Sequence, residues 1–330
     1  MASYKEIFGT NIEILASDPA NPVQGQVWYN STDNVVKGQG ATTVGAWATG
    51  GNLNTARGYS GGAGTSNTAA LVFGGSTAPG TSTAVTESYN GLAWTEVNDL
   101  NTAREAIGGA GTQTSALTFG GNIPPPTAVT ESWNGTSWTE VADLNLARGT
   151  SGSAGADNTS AITFAGRTSP ANNAETEIWN GTSWTEVNDL NTARYAVAGA
   201  GVVPSALCIG GNIATVQSLT ESWNGTCWTE VNDLNTARRD AGGAGISNTS
   251  ALAFGGSLDP GLVGNTEEWN GTSWTETTNI STARNGMASN GTISSALAAG
   301  GGLTPPSIRS NATEEWNGAG SPTTVTFTDS

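Results

Sequence analysis

Beyond residue 40 the apolar positions fall in short blocks bounded by Gly, Pro, Asn and Ser, and none takes the spacing of a helical face. The blocks keep a fixed order. A Gly/Ala-rich stretch such as Glu105–Thr112 or Tyr195–Val202 precedes an apolar one ending in paired small residues, as in Ala70–Gly75, Ala116–Gly121 and Ala161–Gly166. After a loop of changing length comes a block ending at Trp133 or its equivalents, then Asn-Gly, then a block carrying a second Trp. This order predicts four short strands per unit, with Asn-Gly as a two-residue type I′ turn whose central positions both need positive φ. Counting by twos across that turn puts Trp133 and Trp138 on one face as diagonal neighbours. The same holds for Trp179 with Trp184, Trp223 with Trp228 and Trp269 with Trp274.

The unit repeats. Glu131–Arg148, "ESWNGTSWTEVADLNLAR", recurs at Glu87–Arg104, Glu177–Arg194, Glu221–Arg238 and Glu267–Arg284, with truncated copies at Trp47–Arg57 and Glu314–Gly318. Its closing arginines, at 57, 104, 148, 194, 238 and 284, are 44 to 47 residues apart. Four strands at that period are a β-propeller blade. The glycine and alanine of one strand per unit fit the crowding nearest a propeller axis. The repeated tryptophans, with Trp94 at the same place in the first copy, are expected to pack between units. Burial of about 150–250 Å² each contributes about 4–6 kcal/mol gross at about 25 cal/mol per Å². Arg104, Arg148, Arg194, Arg238 and Arg284 read either as a ring for an anionic ligand or as partners of carbonyls and the repeated Glu. Their five fixed donors favour the second. There are six Gly-Gly strands and six Trp/Tyr-Asn-Gly strands, but seven candidates for the outer strand. The Trp47 strand, Ala46–Arg57, is expected to complete the last unit beside Trp316, with Thr323–Thr328 as the alternative.

Composition narrows the chemistry. In 330 residues, 27 acids against 11 bases leave a net charge of −16, which disfavours nucleic acid and anionic membrane surfaces. No apolar run has the length of a membrane-spanning helix, and the first 15 residues lack the blocks of a signal peptide. Cys208 and Cys227 stand where sister units carry small or hydroxyl residues, and they are expected to be ordinary thiols. Histidine is absent, which removes the commonest general base and metal ligand.

Residues 1–40 lie outside the repeat. Strands near Gln26–Tyr29 and Val35–Val36 around a polar turn at Ser31–Asn34 predict a small hairpin, and both lysines, Lys5 and Lys37, fall in this segment. Its "DPANPVQGQVWYNSTDN" resembles a short module of virion and tail-associated proteins of tailed bacteriophages. From about 47 to 318 the units resemble the kelch repeat: a strand ending in Gly-Gly, an aromatic ending the next, a Trp a few residues on, and an Arg ten residues after it. Departures are mild. Tyr89 stands for Trp once, Ala165-Gly166 for Gly-Gly once, and the last unit has no second Trp. The resemblances imply an all-β chain: a six-bladed kelch-like propeller over 41–330, preceded by a docking module over 1–40. Copper oxidases of the kelch class use His ligands, which this chain lacks. "NGTSWTE" has the outline of a sialidase Asp box without its aspartate. The acids multiply at repeated positions, Glu87 to Glu314 and Asp99, Asp143, Asp189 and Asp233, where a catalytic pair would break repetition. The expectation is a non-enzymatic protein without a metal or cofactor.

What differs between units is the loop after Gly-Gly. These loops are expected on one face, and binding residues concentrate on loops held by a rigid scaffold. Ser76, Asn122, Arg167, Asn172, Asn212, Asp259 and Arg309 are the candidate ligand-binding residues there. The resemblance implies a virion structural protein, in the tail or fibre. Its partners would be other virion proteins at residues 1–40 and a host-surface glycan or protein at the loop face. Nucleic acid and membrane insertion are not expected, and self-association as a homo-oligomer is left open. A decoration or spacer subunit and a free propeller lectin are the alternatives.

Overall fold

Strand formation follows the repeat unit by unit in the computed structural model, which describes residues 12–20, 22, 25–41, 44–304, 308–320 and 322–327. The fold is all-β, with no helix among the described residues. The chain divides into two compact units, residues 46–317 and residues 1–45 with 318–330.

The larger unit holds six four-stranded antiparallel sheets in a propeller-like arrangement. The second sheet is typical: Gly108–Gly111, Ala116–Phe119, Thr130–Trp133 and Trp138–Val141, in that order. The predicted Glu105–Thr112 strand is shorter at its start, because Glu105 makes only an isolated bridge to Asn122 and Ala106 turns to a positive φ of 56°. First strands of consecutive sheets lie side by side, and Ala288–Thr292 of the sixth lies against Gly61–Ser66 of the first. Their glycines answer to steric demand. A Cβ on Gly199 would come within 2.2 Å of the Ser153 carbonyl oxygen, and one on Gly243 within 2.4 Å of that of Gly199. The sixth sheet takes its fourth strand from the start of the repeats. Ala46–Thr49 pairs with Thr313–Asn317, and Trp47 stands opposite Trp316.

The turn differs from the two-residue type I′ turn expected of Asn-Gly. Trp133 and Trp138 are directly opposed across the strands, not diagonal, with ring centroids 5.3 Å apart. Four residues, not two, form the loop between them. Asn134 Oδ1 accepts from the backbone N–H of Thr136 and of Ser137, both at 2.9 Å, and only Gly135 takes a positive φ, 91°. The asparagine acts through its side chain, as in an Asx turn.

Tryptophan joins the sheets. The Trp138, Trp184, Trp228 and Trp274 indoles donate to the hydroxyls of Thr86, Thr130, Thr176 and Thr220 on the preceding sheet. Trp94 reaches Thr313, and Trp47 reaches Thr266, in the same way. Trp133, Trp179, Trp223 and Trp269 are buried beside them. Each repeated arginine is likewise fully buried and ion-paired with a buried glutamate: Arg57 with Glu87, Arg104 with Glu131, Arg148 with Glu177, Arg194 with Glu221, Arg238 with Glu267 and Arg284 with Glu314. The arginine also spans two sheets. Arg104 pairs with Glu131 of the second sheet while its carbonyl accepts from Gly75 N of the first. Repeated aspartates cap strands, as where Asp143 Oδ1 accepts from Thr130 N at 3.1 Å.

The smaller unit is one sheet in the order Glu13–Leu15, Val27–Asn30, Val35–Ala41, Pro322–Phe327. The expected hairpin is present, and its second strand is longer than expected. The C-terminal alternating segment pairs with it and not with the sixth sheet. Asp18 organises this unit. Its carboxylate accepts from Trp28 Nε1 at 3.0 Å and Asn30 Nδ2 at 2.8 Å, and pairs with Lys37 at 2.9 Å. The hydrogen bond from Asn30, then those from Lys37 and Trp28, lower its pKa to about 2. Lys5 lies outside the described residues. Of the thiols, Cys208 is buried beside Arg194 and pushed up to about 12 by burial, while Cys227 is exposed; both are free.

Candidate functional site

The loops after the Gly-Gly strands meet the segments that follow the repeated arginines. Ser76, Asn122, Arg167, Asn212, Ser257 and Gly302, each the first residue after the small pair, bridge to Gly58, Glu105, Gly149, Tyr195, Arg239 and Asn285, each the first residue after a repeated Arg. The next residues form a circuit. Tyr59 N donates to the Gly286 carbonyl, Ala106 to Tyr59, Thr150 to Ala106, Ala196 to Thr150, Asp240 to Ala196 and Gly286 to Asp240, at 2.6–2.9 Å. All six take φ between 52° and 57°. With so much backbone held, the loops are set on a rigid base.

The structure sorts the candidate residues. Asn122 and Arg167 share one cavity of about 370 Å³, with Pro124, Pro125, Pro126, Thr150, Ser169 and Tyr195. The Arg167 guanidinium stacks on the Tyr195 ring at 4.9 Å and donates from Nε to the Pro170 carbonyl at 3.3 Å. Ser76 is buried, and its hydroxyl accepts from Arg309 Nη2 at 3.2 Å, while Arg309 lies 5.2 Å over the Tyr59 ring. Asn172 bridges to Arg167 and donates to the Ile213 carbonyl at 2.9 Å. Asp259 pairs with Arg239 at 3.3 Å. Asn212 is buried and held as a bridge, so its contribution is to position the loop.

Tyr59, Tyr195, Arg239, Thr150 and Asp240 were missed from the sequence. They occupy the first and second places after the repeated Arg, where the units differ as freely as in the loops, and that variation was the signal. Asp240 lines a small cavity at the circuit with Tyr59 and Thr150. Its carboxyl is 4.0 Å from Arg239 Nε, and burial pushes its pKa up to about 6 against the opposing pull of Arg239.

Charge is unevenly placed. The chain has nine arginines; six are the buried repeat residues, and the other three, Arg167, Arg239 and Arg309, all lie on this face. No group of three or more His, Cys, Asp or Glu that could hold a metal occurs among the described residues. No protein-family model matches the chain, and no curated protein matches it.

Proposed function

We propose that the six sheets form a closed six-bladed propeller of kelch type, and that the chain is a non-enzymatic recognition protein whose variable-loop face binds a surface ligand. Closure is supported by the Trp47 strand beside Trp316 and by the circuit from Tyr59 to Gly286. The observation that carries the function is the sorting of charge. The repeated Arg, the Glu that each one pairs with, and the repeated Asp and Trp side chains have internal structural partners, and the three other arginines gather on the one face whose loops vary.

The smaller unit would then dock the protein to a particle, and the resemblance of "DPANPVQGQVWYNSTDN" to phage virion modules points to a tail or fibre position. The test exchanges one loop. Ser257–Gly264 is replaced by Asn122–Ala128, keeping Asn265, whose carbonyl accepts from Gly255 N and from Arg238. Melting temperature should hold within a few degrees while adsorption to a panel of bacterial cells changes. If exchanges at every loop leave adsorption as it was, the protein is a spacer subunit.

A further inference from the structure

We propose that the cavity lined by Asn122, Pro124–Pro126, Ser169 and Arg167 is a subsite for a carboxylate-bearing sugar, with Arg167 binding the carboxylate. This inference rests on the reading of the loop face as a binding surface and names the ligand class it takes. The three arginines of the face differ in what they already hold. Arg239 is paired with Asp259 at 3.3 Å and lies 4.0 Å from Asp240. Arg309 is tied to Ser76 and Tyr59. Arg167 donates only its Nε, to Pro170, and neither Nη atom has a hydrogen-bond or ion-pair partner among the described residues.

Stacking on Tyr195 and the Nε bond fix the plane of that guanidinium, so two parallel donors stand ready at the cavity. That fork matches the two oxygens of a carboxylate, and pre-orientation lowers the entropy lost on binding. The other walls suit a sugar. The Asn122 amide and the Ser169 hydroxyl exchange hydrogen bonds with ring hydroxyls, and the proline run offers C–H surface to a ring face. At about 370 Å³ the cavity sits near the lower end of the 300–1,000 Å³ typical of small-ligand pockets, which fits a short saccharide segment. A net charge of −16 repels a polyphosphate far more than a ligand with one charge per sugar.

The experiment titrates the full-length protein with glucuronic-acid-containing oligosaccharides and sialyllactose, each against its neutral counterpart, and with an acidic peptide. The acidic sugar should bind at least tenfold tighter than the neutral one. Arg167→Gln should reduce that preference to about onefold at an unchanged melting temperature, and Arg309→Gln should leave it in place. Equal binding of acidic and neutral sugars, a preference that survives Arg167→Gln, or binding of the peptide alone would each overturn the subsite. If loop exchange alters cell adsorption while acidic sugars and Arg167→Gln do nothing, the subsite falls and the loop-face reading stands. If loop exchange is silent as well, both fall.

Discussion

Arg104 and Glu131 meet where neither side chain reaches water. Such a pair is costly to desolvate, and its value shows when one partner is removed. Arg104→Met should cost about 3–5 kcal/mol in urea unfolding because Glu131 stays buried without its cation. Arg104→Met with Glu131→Gln should cost less, since the amide oxygen can still accept from Asn101 N and Nδ2, now at 2.7 and 2.8 Å from the carboxylate. A double variant worse than the single one would contradict this. Asp240 works in the opposite direction. Its folded pKa of about 6 lies above the ordinary carboxylate value, so the folded state holds the proton more tightly. Its contribution is present below about pH 4 and is lost as the pH rises toward 6, amounting to at most about 3 kcal/mol. Asp240→Asn should therefore flatten that part of the stability profile and raise stability at pH 7. An unchanged profile would show that the carboxyl is solvated. Residue chemistry was legible where it repeated. The Trp133 and Trp138 positions announce a shared face, but their direct opposition depends on Asn134 capping a four-residue loop. The stacking of Arg167 on Tyr195 leaves no local pattern at all.

At the scale of elements, the strands could be read because each unit pairs its own neighbours, and the repeat states the order six times. The two strands that cross the chain were the hard ones. Ala46–Thr49 betrayed itself by its resemblance to the other outer strands, with a Trp and the closing "NLNTAR". Pro322–Phe327 merely alternates, which fits any open sheet edge, and it pairs with Val35–Ala41. This pairing makes a truncation test possible. Removing residues 1–40 together with 318–330 should leave the six-sheet unit with its melting temperature nearly unchanged. Extending the N-terminal cut to residue 50 also removes Trp47, its contact with Phe254 at 4.8 Å and its bond to Thr266. That variant should melt lower, by about 2–4 °C for each kcal/mol lost. Equal melting of the two truncations would mean the Trp47 strand does not complete the sixth sheet in solution.

At the scale of the whole molecule, repeated positions build the scaffold of the larger unit and variable positions shape its loop face. The candidate face was legible in outline, since the loops differ while the scaffold does not. Its chemistry was not, because Tyr59, Tyr195 and Arg239 follow the repeated arginines, away from the loops in sequence, and reach loop side chains only through tertiary contacts: Tyr59 with Arg309, Tyr195 with Arg167 and Arg239 with Asp259. On the proposed function, ligand is met at the variable-loop end of the larger unit. Amide hydrogen exchange of the full-length protein, with and without envelope polysaccharide from a strain it adsorbs to, tests this directly. Slowed exchange is expected at the non-proline amides of residues 122–128, 167–173 and 212–217, with the first strands unchanged. Protection confined to the other ends of the first strands, around Thr65, Ala156, Val202 and Ile246, would contradict it.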